Sequence, residues 1–297
     1  MGPFLVHSNA WQEFFKRHPK LEGFLITQSP RFDLACLETL VRQCPGIKEL
    51  RLREVGKLND AFLSEIERLE QGLWYLDLSE PSESCSESAM LKMIAAVSKT
   101  VTHLSLSNHD LLTDEFLIEG LQTHMKHLES LTLSYVPELT DAGVADLFGA
   151  WKGNPPLTSL DMSRNEVLGS AALKAILKHS ASRLEQLNIN GWKEVGEGEL
   201  KLIGRAKELK KLDVGWCRAV DDLVLSGWLE GETVKGVVKG GCRRLEEVKV
   251  WGCNKLTAVC PRRVFFFSYF WSYYITYKTV LSQKGVSILG VESHTVT

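Results

Sequence analysis

The chain has no surplus of basic charge. Its 35 lysines and arginines stand against 37 aspartates and glutamates, a formal net of −2 over 297 residues. A protein whose main task is gripping phosphates draws its affinity from Lys and Arg that neutralise them, so this balance argues against that task. Cysteine is sparse and odd in number, seven residues without a compact spacing framework. That fits a reducing compartment better than a disulfide scaffold. No Asn-x-Ser/Thr glycosylation acceptor occurs. The start, Met1-Gly2-Pro3-Phe4-Leu5-Val6-His7, has no basic region and too short an apolar run for a secretory signal. Val6 stands where N-myristoylation requires Ser or Thr. The expectation is an intracellular protein that is not secreted.

Catalytic signatures are also missing. There is no Gly-x-Ser-x-Gly elbow, no glycine loop ending in Lys-Ser/Thr, no His-Glu-x-x-His and no EF-hand loop. Gly196-Glu197-Gly198 lacks a third glycine at the required spacing. His103, His109, His124, His127 and His179 are expected at scattered exposed positions. His109 adjoins Asp110, but no nucleophile is in register with them. The sequence predicts no enzyme activity, no cofactor and no small-molecule substrate.

What the chain does contain is a repeat. The phrase Leu-x-x-Leu-x-Leu-x-x-Asn/Cys recurs with its first position at Leu21, Ile47, Leu73, Val101, Leu128, Leu157, Leu184, Leu209 and Leu245. The steps are 26, 26, 28, 27, 29, 27, 25 and 36 residues. A period in the high twenties with this frame marks leucine-rich repeats, each a short strand, a turn and a helix. One repeat cannot bury its apolar edge alone, so the repeats must stack. The predicted fold is an α/β solenoid, a horseshoe of about nine cysteine-containing-type repeats with parallel strands on its concave face and helices outside. We divide the chain into a solenoid over 1–263, an aromatic-rich insert over 264–283, and a C-terminal strand and tail over 284–297. With 44% apolar residues, there is enough for one large core.

Helical spacing follows each phrase, as in Leu58, Phe62, Leu63 and Ile66, or Leu139, Val144, Leu147 and Phe148. Leu112-Thr113-Asp114 and Leu139-Thr140-Asp141 put capping oxygens just before a helix, and Leu58-Asn59-Asp60 and Val220-Asp221-Asp222 vary the device. Cys44 and Cys242 precede position one by three residues, and Cys217 and Cys253 occupy position nine, where a small thiol packs beside its neighbour. The sharper alternative is a zinc cluster of Cys242, Cys253, Cys260 and His294, which no Cys-x-x-Cys knuckle supports. The glycine-rich stretch from Gly231 to Gly241 lengthens one step and reads as a surface loop or an extended helical excursion. Trp11, Phe14 and Phe15 read as the helix of a repeat whose own strand is missing. No polar cap precedes them, and the expectation is upstream sequence absent from this chain.

Positions three, five and seven of the frame should project from the strands. Position five reads Leu25, Arg51, Asp77, Ser105, Thr132, Asp161, Asn188, Asp213, Lys249, and position seven runs from Thr27 and Arg53 to Gly215 and Trp251. This polar, mixed stripe suits a peptide or protein better than a phosphate track. The candidate partner-binding residues are Arg51, Arg53, Asp77, Asp161, Asp213, Trp216, Lys249 and Trp251, with Trp216 and Trp251 as aromatic anchors. The alternative is that the two tryptophans merely cover the last turns.

Several phrases carry a family resemblance: Ser29-Pro30-Arg31-Phe32-Asp33, Asp161-Met162-Ser163-Arg164-Asn165, Asp213-Val214-Gly215-Trp216-Cys217-Arg218 and Val250-Trp251-Gly252-Cys253-Asn254. Together they make the chain similar to the leucine-rich-repeat subunit of the fungal global-genome nucleotide excision repair factor, the "Rad-seven" type, over nearly everything except 264–283. The resemblance implies a nuclear DNA-repair role beside a Snf2-type ATPase carrying a RING finger, and a link to a cullin-type ubiquitin ligase. It implies no catalytic residues; DNA contact is expected to be at most indirect or weak because the strand face lacks a basic stripe. The family's polar N-terminal extension is not in this sequence. Two other binding roles share the same surface physics: an F-box-like substrate receptor of a cullin ubiquitin ligase, and an inhibitor clamping a globular partner.

The stretch 264–283 departs from both frame and family. Nine of its 20 residues are aromatic, out of 26 in the whole chain, and none is acidic. As a membrane anchor it fails, because a span needs about 20 predominantly apolar residues and this one is broken by Ser, Thr and Lys. An exposed aromatic strand for a partner would invite aggregation. The preferred reading is a retained intron translated in frame: Val264 and Gln283 can be encoded by the two intron ends, and its removal joins Arg263 to Lys284 and the family-like ending. Sequencing the mature transcript decides it.

Overall fold

An apolar residue, most often leucine, at positions four and six of each phrase dictates which side of every strand is inside. A computed structural model of the chain describes residues 6–257 except 57, 70, 71, 82–84, 152, 235 and 236, together with the backbone of strands at 266–268, 277–280 and 287–289. Only the backbone is described for 232–234 and 237–239. The chain divides into two compact units, residues 1–139 with 150–156, and residues 140–149 with 157–297.

The first unit holds five strands of the frame: β1 (Gly23–Ser29), β2 (Glu49–Val55), β3 (Tyr75–Asp77), β4 (His103–Ser105) and β5 (Ser130–Thr132). They pair in parallel with the frame in register, so that Leu25, Arg51, Asp77, Ser105 and Thr132 follow one another across the sheet. Leu50, Leu52, Leu76, Leu78, Leu104 and Leu106 are buried behind it. Helices α1 (Ser8–Arg17), α2 (Leu34–Gln43), α3 (Asp60–Glu67) and α4 (Glu87–Val97) alternate with the strands. After β4 the helix is a π-helix, Phe116–Gln122. The expected N-terminal helix is α1. It buries Phe15 against Phe24 at 5.1 Å between ring centroids, with Trp11 and Phe32 edge-on in the same cluster. At the turn after β2, Gly56 is required by close packing, since a Cβ there would stand 2.5 Å from the Pro30 carbonyl oxygen.

The second unit begins with α5 (Asp141–Ala150), of which residues 141–149 belong to it. Strands β6 (Ser159–Asp161), β7 (Gln186–Asn188) and β8 (Lys211–Asp213) alternate with α6 (Ser170–Ser180), α7 (Glu197–Leu202) and α8 (Asp222–Glu230). The glycine-rich stretch is neither a loop nor a helix. It forms two strands, β9 (Glu232–Val234) and β10 (Val237–Lys239), paired antiparallel. The Val-rich flanks supply the strand propensity that the glycines concealed. The frame then resumes with β11 (Glu247–Lys249), parallel to β8, so position five continues from Asp161 through Asn188 and Asp213 to Lys249.

Of the aromatic-rich stretch and the tail, only backbone strands β12 (Phe266–Ser268), β13 (Tyr277–Val280) and β14 (Ser287–Leu289) are described. The final strand sits where the frame requires it, parallel to β11 with Val248 beside Ile288. β13 runs antiparallel to β14 and to β12. The rest of 264–283 lies outside the described residues.

The capping signals do more than the sequence suggested. Asn59, Thr140 and Asp221 cap their own helices, accepting from Ala61, Gly143 and Val224 N–H. The acid that follows reaches the next repeat instead. Asp60 accepts from Ser86 N at 2.8 Å and Oγ at 2.7 Å, and Glu87 accepts from Thr113 N at 2.7 Å. In the second unit Asp141 accepts from Gly169, Ala171 and Ala172 N–H at 2.8, 3.1 and 2.9 Å, and Asp222 from Thr257 N at 3.0 Å. Orphan helix N–H groups are thus satisfied across repeats as well as within them.

Candidate functional site

The candidate residues fall into two groups, Arg51, Arg53 and Asp77 in the first unit and Asp161, Asp213, Trp216, Lys249 and Trp251 in the second. In the first, the Arg51 guanidinium lies 3.9 Å from the centroid of the Tyr75 ring, and Tyr75 stacks on His103 with centroids 5.4 Å apart. Arg51 also reaches Glu49 Oε2 at 3.3 Å. Asp77 does not project to solvent as position five should: it is 0% exposed. β3 ends at this residue, and the carboxylate turns back to accept from Ser79 N at 3.1 Å and Arg53 Nε at 2.5 Å. The exposed Arg53 side chain covers it.

The second unit repeats that arrangement as a zigzag. Asp161 Oδ1 accepts from Ser163 N at 2.9 Å, and Asp161 Oδ2 from Asn188 Nδ2 at 2.8 Å. Asn188 Oδ1 accepts from Asn190 N at 3.1 Å, and Asn190 Nδ2 donates to Asp213 Oδ1 at 3.0 Å, which also takes Gly215 N at 3.0 Å. Acids and amides at position five therefore hold the strand end at position seven. Burial pushes the Asp213 carboxyl above the ordinary aspartate value, against the pull of Gly215 N–H and the Asn190 amide. Lys249 Nζ stands 3.4 Å from Glu247 Oε1. Trp251 is half-buried, whereas Trp216 is 58% exposed.

A column that sequence reading missed lies at position eight. Gln28, Glu54, Glu80, Asn108, Tyr135, Arg164, Gly191, Trp216 and Gly252 all have positive φ, between 46° and 87°. At Glu80, Asn108, Arg164, Gly191 and Trp216 the left-handed conformation aims the N–H at the carbonyl of position seven in the next repeat, as in Asn108 N to Ser134 O and Gly191 N to Gly215 O. Asn108, Gly191 and Gly252 were the available signal, since Gly and Asn tolerate this region best. We expect Glu54→Gly to raise the unfolding free energy by about 1 kcal/mol through relief of that conformation, measured by urea unfolding. A loss of stability would contradict the strain.

The remaining reactive groups are structural. Among the described residues no group of three or more His, Cys, Asp and Glu could hold a metal ion. Cys242 and Cys253 are buried and donate to the carbonyls of Ile203 and Val214, each at 3.3 Å, and burial pushes both thiols up to about 12. Cys260 and His294, the other two residues of the zinc reading, lie outside the described residues. Cys44, Cys85 and Cys217 likewise donate to carbonyls one repeat upstream.

Contrary to the exposed position expected from the sequence, His109 is buried, 3% exposed, and its Nε2 donates to Leu78 O at 2.8 Å. Burial lowers its pKa. The folded state then binds the proton less tightly than the unfolded one. Its stabilisation is present above the ordinary imidazole value and lost as pH falls through that value toward the folded one. Unfolding measured between pH 7.5 and 5 should show this loss, shallower in His109→Asn; identical slopes would contradict it.

No helix among the described residues is long and apolar enough to cross a membrane. A family model described as a leucine-rich repeat matches residues 153–177. Over 259 residues the chain is 31% identical to DNA repair protein rhp7 of Schizosaccharomyces pombe, covering 85% of this chain and 44% of that protein. It is 26% identical over 232 residues to DNA repair protein RAD7 of Saccharomyces cerevisiae, covering 75% and 41%. The chain thus spans less than half the length of these relatives. The crystal structure of the yeast Rad7 and Elc1 complex matches with a TM-score of 0.67 at 24% identity, over 88% of this chain and 64% of that one, and shows the shared fold.

Proposed function

Because the chain is a leucine-rich-repeat protein of the Rad7 type, we propose that it serves as a non-catalytic protein-interaction scaffold in nuclear nucleotide excision repair of damaged DNA. Its partners are a Snf2-type ATPase with a RING finger and components of a cullin-type ubiquitin ligase. The observation that carries the proposal is the likeness to rhp7 and RAD7 over most of this chain. The strand face supports it: Asp77, Asp161 and Asp213 each accept a strand-end N–H through one oxygen, and exposed side chains such as Arg53 and Trp216 remain for contact. The Elc1 complex of yeast Rad7 supports the ligase link. Affinity purification of the tagged chain from fungal nuclei should recover a Snf2-type ATPase. Recovery of a Skp-type adaptor or a single cytosolic enzyme in its place would overturn the reading.

DNA should bind the isolated repeats weakly at physiological salt. The strand face has no basic stripe, and Arg51, Arg53 and Lys249 each have an acid within 3.4 Å. Affinity measured against salt concentration should show a shallow slope. Submicromolar binding with a steep slope, the signature of many phosphate contacts, would contradict this.

A further inference from the structure

We propose that Trp216 and Asp213 form a recognition site for a cationic side chain, arginine or lysine, presented by a protein partner; the site deepens the scaffold reading and rests on it. Trp216 keeps a large aromatic ring in the left-handed region, φ 63°, where its column neighbours are Gly191 and Gly252. Gln28, Glu54, Glu80, Asn108, Tyr135 and Arg164 share that conformation, so what sets Trp216 apart is its indole, 58% exposed. The ring is also held. Trp216 N donates to Trp251 O, and the indole lies so close over Gly252 that a Cβ there would stand 2.5 Å from two ring carbons. The side chain is nonetheless largely exposed.

Gly215 leaves room for the Asn190 amide beside Asp213, since a Cβ there would stand 2.4 Å from Asn190 Nδ2. Asp213 Oδ1 is occupied by Gly215 N and Asn190 Nδ2, while Oδ2 accepts no hydrogen bond among the described residues. Lys249, the base that acts on this carboxylate, stands beside Glu247. A carboxylate with an open oxygen and an aromatic face with its negative quadrupole select the same occupant, a cation. A neutral apolar side chain would cover the Asp213 charge without compensating it, and a phosphate would be repelled.

The test uses the full chain labelled with 5-fluorotryptophan, whose eight tryptophans give eight fluorine signals, the Trp216 signal being the one lost in Trp216→Ala. The probe is the capped peptide Gly-Ser-Arg-Ser-Gly, with Gln and Leu in place of Arg as controls. Arg should shift the Trp216 signal saturably, about fivefold more tightly than Gln, the size of an exposed cation–π contact. Asp213→Asn should weaken the Arg response. Gly252→Ala, which displaces the ring without removing it, should weaken it too, and unchanged positions of the other signals report an intact fold. An equal response to Gln or Leu, an unchanged response in Asp213→Asn, or no response at Trp216 would each overturn the site. A failed titration with the Snf2-type ATPase still recovered rejects this site alone. A working titration without that recovery rejects the repair reading alone.

Discussion

Trp192→Ala should destabilise the second unit by about 4 kcal/mol. Trp192 is completely buried, and its indole N–H donates to the Met162 carbonyl at 2.7 Å, thirty residues upstream. It therefore both fills the core and ties one repeat to the one before. Truncation leaves a cavity that short strands pinned on both sides cannot close. Trp192→Phe keeps most of the apolar area and forfeits the hydrogen bond, so it should cost about 1–2 kcal/mol. Urea unfolding followed by far-UV circular dichroism gives both values. A loss under about 1 kcal/mol for the alanine variant, far below the usual range, would mean the repeats are not stacked as described.

Asp141→Ala should cost about 2–3 kcal/mol, as expected for charge-assisted bonds at a helix N-terminus. The N-cap residue of α6 is Gly169, which has no capping side chain. Asp141, one repeat upstream, supplies the cap by accepting three N–H groups. Removing it strips the first turn of α6 of its acceptors, and Asp141→Asn should lose about half as much, since a neutral amide oxygen accepts more weakly. Hydrogen exchange localises the effect: Ala171 and Ala172 amides should lose protection. If their exchange is unchanged, the cross-repeat cap is not what holds this helix.

The parts of the fold legible in the sequence are those set by periodicity. The leucines of the frame place Leu25, Arg51 and Asp77, and later Asp161, Asn188 and Asp213, in consecutive register, because slipping a strand by one residue would expose its leucines. The N-terminal helix follows from Trp11, Phe14 and Phe15 by the same logic. Asp77 escaped because strict alternation holds only along an extended strand. β3 stops at that residue, and the nearest unpaired N–H, that of Ser79, captured the carboxylate. His109 escaped because its burial depends on the Leu78 carbonyl of another repeat, which no local pattern encodes. The β9–β10 hairpin was hidden by weighing the glycines above the valines beside them. Position eight was hidden by its diversity: Glu, Tyr, Arg and Trp share a backbone conformation that only the glycines and Asn108 advertise.

The central claim, that the strand face binds a protein partner, is tested most directly by a pull-down of the repair partner with Trp216→Ala and Asp213→Ala, run beside thermal unfolding of the same variants. Partner recovery should fall with both, while each still unfolds cooperatively as a folded protein. Full recovery by both folded variants would contradict the claim and place the contact elsewhere.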